Sequence, residues 1–225
     1  MNRLFKSVYR HTFKKLFPNT GNIIEFILRT ELKGCCSVLD LGCGPSSPLK
    51  KIKNDQAFQL YSVGVDIFEP YILNNLVQEK IHSEYINADI FSIDFPPQSF
   101  DCALLIDVIE HLNKKDFLAF LPKLEKIAKK IIIITPNGFI EQEAYDGNNH
   151  QAHRSGWTVD DFLNSGFSCR GLSGWKFLRG KKWQSKIRPV WLGEAFSDFT
   201  QPFVSSFPRL AYHIVAIKSS GKFYG

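Results

Sequence analysis

Residues 38–47 read Val-Leu-Asp-Leu-Gly-Cys-Gly-Pro-Ser-Ser, an apolar run that ends in an acidic residue and opens into a Gly-x-Gly turn. Two glycines so close together at a strand's carboxyl end leave bare backbone there, which suits a nucleoside-type ligand lying against the chain. The third glycine of a G-x-G-x-x-G fingerprint is replaced by Ser47, and Pro45 sits inside the turn. A pyrophosphate needs helix amides brought close, so this variant fits a phosphate-free nucleoside better than a dinucleotide.

Outward from the turn, strands and helices alternate. Strands are expected at Ser37–Leu41, Leu60–Asp66, Tyr85–Ala88, Asp101–Ile106 and Lys130–Thr135, with helical stretches near 46–53, 70–80 and 114–128. These strands are short and apolar on both faces, and their spacing suits crossovers, which implies a parallel, doubly wound α/β sheet of Rossmann-like type. Later segments predict a helix at Val159–Asn164 and strands at Phe167–Trp175 and Leu210–Ile217, a hairpin-like antiparallel edge. Between those last strands lies an aromatic and basic insertion, about 176–209. The N-terminal part, 1–34, is expected to pack on the core as a helical segment, including an amphipathic stretch at 4–17. Residues 35–225 then form one domain.

A chain of 225 residues with 44% hydrophobic content is long enough for one full core. Its net charge of +6 is local: residues 1–24 and 162–193 hold 12 of the 28 cations and none of the 22 acids, which leaves the remainder at −6. Five cysteines without metal spacing, and no apolar run of membrane-spanning length, point to a soluble cytoplasmic protein with reduced thiols.

Asp66 ends the second strand of the pattern, where a carboxylate can accept both ribose hydroxyls. Asn87-Ala88-Asp89 supplies an acceptor for an exocyclic amine, and Phe68 or Ile90 can pack on an adenine face. Asp107, Glu110 and His111 share a face if a helical turn begins at the fourth strand's end. His150 and His153 return in a loop after the fifth strand, as a lid over the same strand ends.

Leu-Asp-Leu-Gly-Cys-Gly at 39–44, Val-Gly-Val-Asp at 63–66, Ala-Asp at 88–89, Phe-Asp at 100–101 and Asp-Val-Ile-Glu-His at 107–111, in this order, resemble the class I S-adenosylmethionine-dependent methyltransferases. The resemblance covers about residues 36–168, and extends to Ile217 with the closing strands. It implies a seven-stranded sheet with an antiparallel last strand and S-adenosylmethionine as cofactor. The cofactor-binding set it implies is Asp40, Gly42, Gly44, Asp66, Ile67, Ala88, Asp89, Ile90 and Ile106, with Gly42 and Gly44 beneath the methionine part. Asp40 and Asp107 are expected near the ammonium and sulfonium charges.

Asp107, His111 and His153 are the candidate catalytic residues, as general bases or substrate contacts. Asp107, Glu110 and His111 with His153-x-x-x-Trp157 are also similar to the metal site of small-RNA 3′-terminal 2′-O-methyltransferases, and Thr135-Pro-Asn and Trp157-Thr match as well. We assign none of these residues as a metal ligand at this point. The expected acceptor is a small molecule or a glycan or lipid; RNA 2′-O-methylation assisted by a metal, and a silent cofactor-binding module, are the alternatives. Nucleic acid ranks behind small molecules as a partner, and peripheral membrane contact through 1–17 or 175–209 is a further expectation.

Overall fold

The structure, a computed structural model, describes residues 20–144, 147–180, 185–188 and 190–219. The amphipathic stretch 4–17 and Trp183 lie outside the described residues. Seven strands form one sheet: β1 Ser37–Leu41, β2 Tyr61–Asp66, β3 Glu84–Asn87, β4 Cys102–Ile106, β5 Lys130–Pro136, β6 Ser168–Trp175 and β7 Ala211–Ser219. Their spatial order is β3-β2-β1-β4-β5-β7-β6, parallel from β3 to β5, with β7 antiparallel to both β5 and β6. The parallel sheet and its antiparallel last strand are those expected from the sequence.

The central strands are buried almost end to end because helices cover both faces. Alternate residues sort between two cores. Leu39, Val63, Ala103, Leu105 and Ile133 meet α3 (Lys114–Ile127) and α4 (Val159–Asn164) through Phe117, Leu124 and Phe162. Val38, Leu104, Ile132 and Ile134 meet Ile27 and Leu28 of α1 (Thr20–Glu31) and Leu32 in the turn after it. Chain order reverses direction across the sheet between β1 and β4, so a crevice opens at their carboxyl ends.

Two helical expectations need correction. The stretch 46–53 forms only a 3-10 turn, Pro48–Lys51, capped by the Ser47 hydroxyl, which accepts the Leu49 amide at 3.1 Å. The stretch 70–80 is α2 (Glu69–Asn74) running into a π-helical turn, Asn75–Glu79, that Lys80 ends in a left-handed conformation.

The insertion contains a helix that the sequence does not predict, α5 (Val190–Ser206). It seals the open edge of β6 with side chains. Gln201 Nε2 donates to the Gly171 carbonyl (3.0 Å), the Gly174 amide donates to Gln201 Oε1 (3.1 Å), the Trp175 amide to Thr200 Oγ1 (3.0 Å), and Ser197 Oγ to the Ser173 carbonyl (3.1 Å). The close approach requires Gly171, where a Cβ would lie 2.0 Å from the Val204 carbonyl oxygen. An exposed strand edge is thereby removed. Among the described residues, no helix is long and apolar enough to cross a membrane.

His213 on β7 is buried beside Ser173, whose Oγ lies 2.7 Å from Nδ1. Burial first, and then the Arg179 charge, push its pKa down from 6.5 to about 3. The folded state therefore favours the neutral ring. The associated stability is complete above the unfolded pKa and is lost as pH falls from 6.5 toward 3, by ~2 kcal/mol at pH 5. Urea unfolding of His213→Asn should show a drop between pH 7.5 and 5 that is smaller than wild type by ~2 kcal/mol. Equal drops in the two proteins would contradict this account.

Candidate functional site

After Leu41 the chain turns through Gly42 (φ +68°) and Gly44 (φ +58°), values that favour glycine. A Cβ on Gly42 would lie 2.6 Å from Val108 Cγ2, so the turn also needs glycine to pass β4's outgoing segment. A Cβ on Gly44 would meet nothing within 4 Å: its face is open. The Gly42 and Cys43 amides both donate to the Val65 carbonyl, at 2.7 and 3.0 Å.

Two carboxylates brace this turn from neighbouring strands. Asp66 Oδ2 accepts the Gly44 amide and Oδ1 accepts the Phe68 amide, each at 2.9 Å. Burial raises the Asp66 pKa above its ordinary value, while those two amides pull the other way. Asp40 is buried; its Oδ2 accepts the Ser47 hydroxyl at 2.5 Å and lies 3.3 Å from His82 Nε2. Asn75, buried in the π-helical turn, donates through Nδ2 to the Gly44 carbonyl at 2.6 Å.

A cavity of about 550 Å³ opens above the turn. It gathers most of the expected residues: Asp40, Gly42 and Gly44 on its floor, Asp66 and Ile67 at the end of β2, Asp89 and Ile90 after β3, and Ile106, Asp107 and His111 after β4. Ala88 and His153 are not among its lining residues. Phe68 is not one either; its ring packs edge-on against Tyr71, and Phe91 stands at the cavity instead. The loop after β5 reaches in with Asn148, His150 and Arg154, of which the sequence pattern singled out only His150. Asn75 and His82 carried no signal in the sequence, because the turn they support is 31 and 42 residues away from them at Gly44 and Asp40 respectively.

On the other side of the cavity, Asp107 adopts φ +54°, a left-handed conformation that turns the chain at the strand end. The residue is exposed to the open cavity, and desolvation by the protein packed around it pushes its pKa up to about 6. Glu110 does not share that face. It is buried within a 3-10 turn, Ile109–His111, and its Oε2 accepts the Thr135 hydroxyl at 2.9 Å. Burial, and then the Asp107 charge, hold Glu110 well above the carboxylate range.

His111 Nδ1 lies 3.3 Å from the Ala152 carbonyl, and His153 Nδ1 lies 2.6 Å from the Ile140 carbonyl. A carbonyl only accepts, so each Nδ1 carries the proton and each Nε2 is left as an acceptor. Burial lowers both histidines, His111 to about 4, and their rings stand edge-on at 4.8 Å. One donor atom from each of Glu110, His111 and His153 falls within 4.8 Å of the other two.

A sequence family described as "Methyltransferase domain" matches residues 39–132, from the glycine turn to the middle of β5. Over that stretch the chain is similar to methyltransferases, and the residues around its glycine turn are of the kind that fit S-adenosylmethionine. A curated relative, an uncharacterized protein of Methanocaldococcus jannaschii, is 26% identical over 138 residues, 58% of this chain and 54% of that protein. The match thus spans about half of the relative's length.

Solved structures share the methyltransferase fold. An S-adenosylmethionine-dependent methyltransferase from Archaeoglobus fulgidus is 18% identical with a TM-score of 0.56, covering 97% of this chain and 100% of that one. A Burkholderia thailandensis 1,6-didemethyltoxoflavin-N1-methyltransferase is 15% identical with a TM-score of 0.54, covering 97% and 86%. A small-RNA methyltransferase is 16% identical with a TM-score of 0.55, covering 91% of this chain and 26% of that one. The open backbone at Gly44, the Asp66 carboxylate beside it and the cavity above both fit an adenosyl cofactor.

Proposed function

We propose that this chain is an S-adenosylmethionine-dependent methyltransferase that acts on a hydroxyl group of a small-molecule acceptor, of glycan or lipid type, with Asp107 as general base. Bound S-adenosylmethionine supplies a methyl group already activated by a sulfonium centre. Gly42 and Gly44 would hold its methionine part, Asp66 the ribose, and Asp89 the adenine, with Ile67, Ile90 and Ile106 as apolar walls. Ala88 would act through its backbone, whose amide donates to the Asp66 carbonyl at 3.1 Å.

The observation that carries the reading is the Asp107 carboxyl group, open to the cavity and raised to about 6. A base with that pKa is ionised near neutral pH and still basic enough to receive the proton of a hydroxyl as it attacks. His111 Nε2 offers a second acceptor that aligns the same hydroxyl, and His153 packs behind the His111 ring. The 550 Å³ cavity is of the size that encloses small ligands. The neighbour that acts on 1,6-didemethyltoxoflavin lends the small-molecule reading support.

The convergence of Glu110, His111 and His153 favours a second reading, metal-assisted 2′-O-methylation of RNA. Imidazoles fixed through Nδ1 to backbone carbonyls are oriented as metal ligands commonly are. One assay separates the two: transfer of labelled methyl to hydroxylated small molecules and to RNA oligonucleotides, with and without chelator. The expected result is labelling of small molecules at a rate that chelation leaves unchanged. Labelling of RNA that chelation removes and Mn²⁺ or Mg²⁺ restores would support the second reading instead. Cofactor binding without transfer to any acceptor would leave a silent binding module.

A further inference from the structure

The insertion between β6 and β7 carries a surface that methyl transfer does not use. On α5, Phe196, Phe199 and Phe203 recur at spacings of three and four residues, so they lie along one side of the helix. Phe207 extends the row, its ring centroid 4.7 Å from that of Phe203. Trp175 and Phe177 stand beside it, 5.5 Å apart, with the Trp175 amide bonded to Thr200 on α5. Every one of these rings is exposed, Phe199 to 65% and Phe177 to 62%. Together they present on the order of 500 Å² of aromatic surface, the size at which a contiguous apolar patch marks an interaction site.

We propose that this face docks the protein on an anionic lipid bilayer. Charge complementarity selects that occupant. Residues 175–209 hold seven cations and two acids, and Lys186 and Arg188 are exposed just before the helix begins. Aromatic rings that enter the headgroup boundary, flanked by cations, are the combination that binds anionic membranes.

Other occupants fit less well. The hydrogen-bonding side chains of α5, Ser197, Thr200 and Gln201, are turned inward to the β6 edge. The outward row of rings therefore offers hydrocarbon contact rather than the polar contacts that position single-stranded RNA. A second copy packed about a twofold axis would bring two segments of net charge +5 against each other.

The location adds a consequence. Trp175 pairs with Ala211 and Pro136 pairs with His213, so both ends of the insertion leave the sheet at the carboxyl rim where the cavity opens. Four strand spacings separate β6 from β1, on the order of 20 Å. A bilayer seated on α5 thus lies beside the cavity rim. Docking itself does not depend on which acceptor the enzyme uses.

The test is flotation of the full chain with vesicles of three parts phosphatidylcholine to one part phosphatidylglycerol, and with vesicles of phosphatidylcholine alone. The wild type should float with the anionic vesicles and at least ~tenfold less with the neutral ones. Phe196→Ser/Phe203→Ser and, separately, Lys186→Glu/Arg188→Glu should each weaken binding by at least ~tenfold, with cofactor affinity unchanged. All four positions are exposed, so unaltered thermal unfolding confirms that the variants fold. A wild type that stays unbound overturns the proposal, and so do variants that float as well as wild type, which would transfer the role to residues 1–17. A dimer that the phenylalanine variant dissociates in sedimentation, or RNA binding that it abolishes, assigns the face to those partners and equally overturns it.

Discussion

Asp107→Asn should lower kcat by about two orders of magnitude, the lower part of the range for loss of a general base. The substitution isolates the carboxylate because asparagine tolerates the left-handed conformation at φ +54° as aspartate does. The turn out of β4 is then kept, together with Val108 beneath Gly42 and His111 at the cavity. Affinity for S-adenosylhomocysteine, which lacks the sulfonium charge, should stay within a factor of ~3, so the loss falls on turnover rather than on cofactor binding. The pH profile supplies a second readout. Desolvation raises Asp107 to about 6 in the free protein, so wild-type kcat/KM should climb as pH rises through 6 and the base ionises. That limb should be absent in the variant. Undiminished turnover in Asp107→Asn, or a retained limb near pH 6, would remove Asp107 from the role of base.

The sheet was legible because its strands announce themselves twice, by apolar character on both faces and by the residues at their carboxyl ends. Ser37–Leu41 runs into glycines that can turn only there, and the expected bounds match β1 residue for residue. Tyr61–Asp66 ends in a carboxylate whose use is visible at Gly44. α5 was hidden because its pattern is inverted. Its polar residues face a strand edge and its phenylalanines face outward, so the usual equation of apolar with buried fails along it. Pro202 within the helix obscured it further.

In the site, residues that close a strand, such as Asp66, were readable, and those brought in from the segments between strands were not. Asn75 holds the Gly44 carbonyl from a π-helical turn, a local geometry with no sequence signature. Glu110 was expected beside Asp107 and His111 on a helical face. A 3-10 turn instead buries it against Thr135, off the cavity lining and apart from Asp107's open face, while a donor atom of its carboxylate stays within 4.8 Å of His111 and His153. Asp40, expected near a ligand charge, lines the cavity floor, where its Oδ2 accepts the Ser47 hydroxyl beside His82.

Asp66→Ala should weaken cofactor binding at least ~100-fold, leaving none measurable at micromolar concentrations. In the proposed role the carboxylate does two things at once. It fixes the Gly44 amide and the Phe68 amide, each at 2.9 Å, and it presents its remaining lone pairs to the ribose hydroxyls. Hydrogen bonds to a charged group contribute ~1.5–3 kcal/mol each, so the loss of two ribose contacts reaches ~3 kcal/mol or more. Asp66→Asn is the sharper control. Its one carbonyl oxygen can still hold the Gly44 amide, but its NH₂ has no lone pair for the Phe68 amide or for a ribose O–H, so binding should fall. Burial raises the Asp66 pKa, so wild-type affinity should decline as pH falls through that raised value, and the alanine variant should lack this dependence. Calorimetric titration with S-adenosylhomocysteine reads both effects. Thermal unfolding gives an independent measure: ligand at 100 times the wild-type Kd stabilises the wild type by ~2.7 kcal/mol and should stabilise Asp66→Ala by less than ~0.5 kcal/mol. An unchanged Kd in the alanine variant would show that the ribose is held elsewhere and that Asp66 serves only to shape the glycine turn.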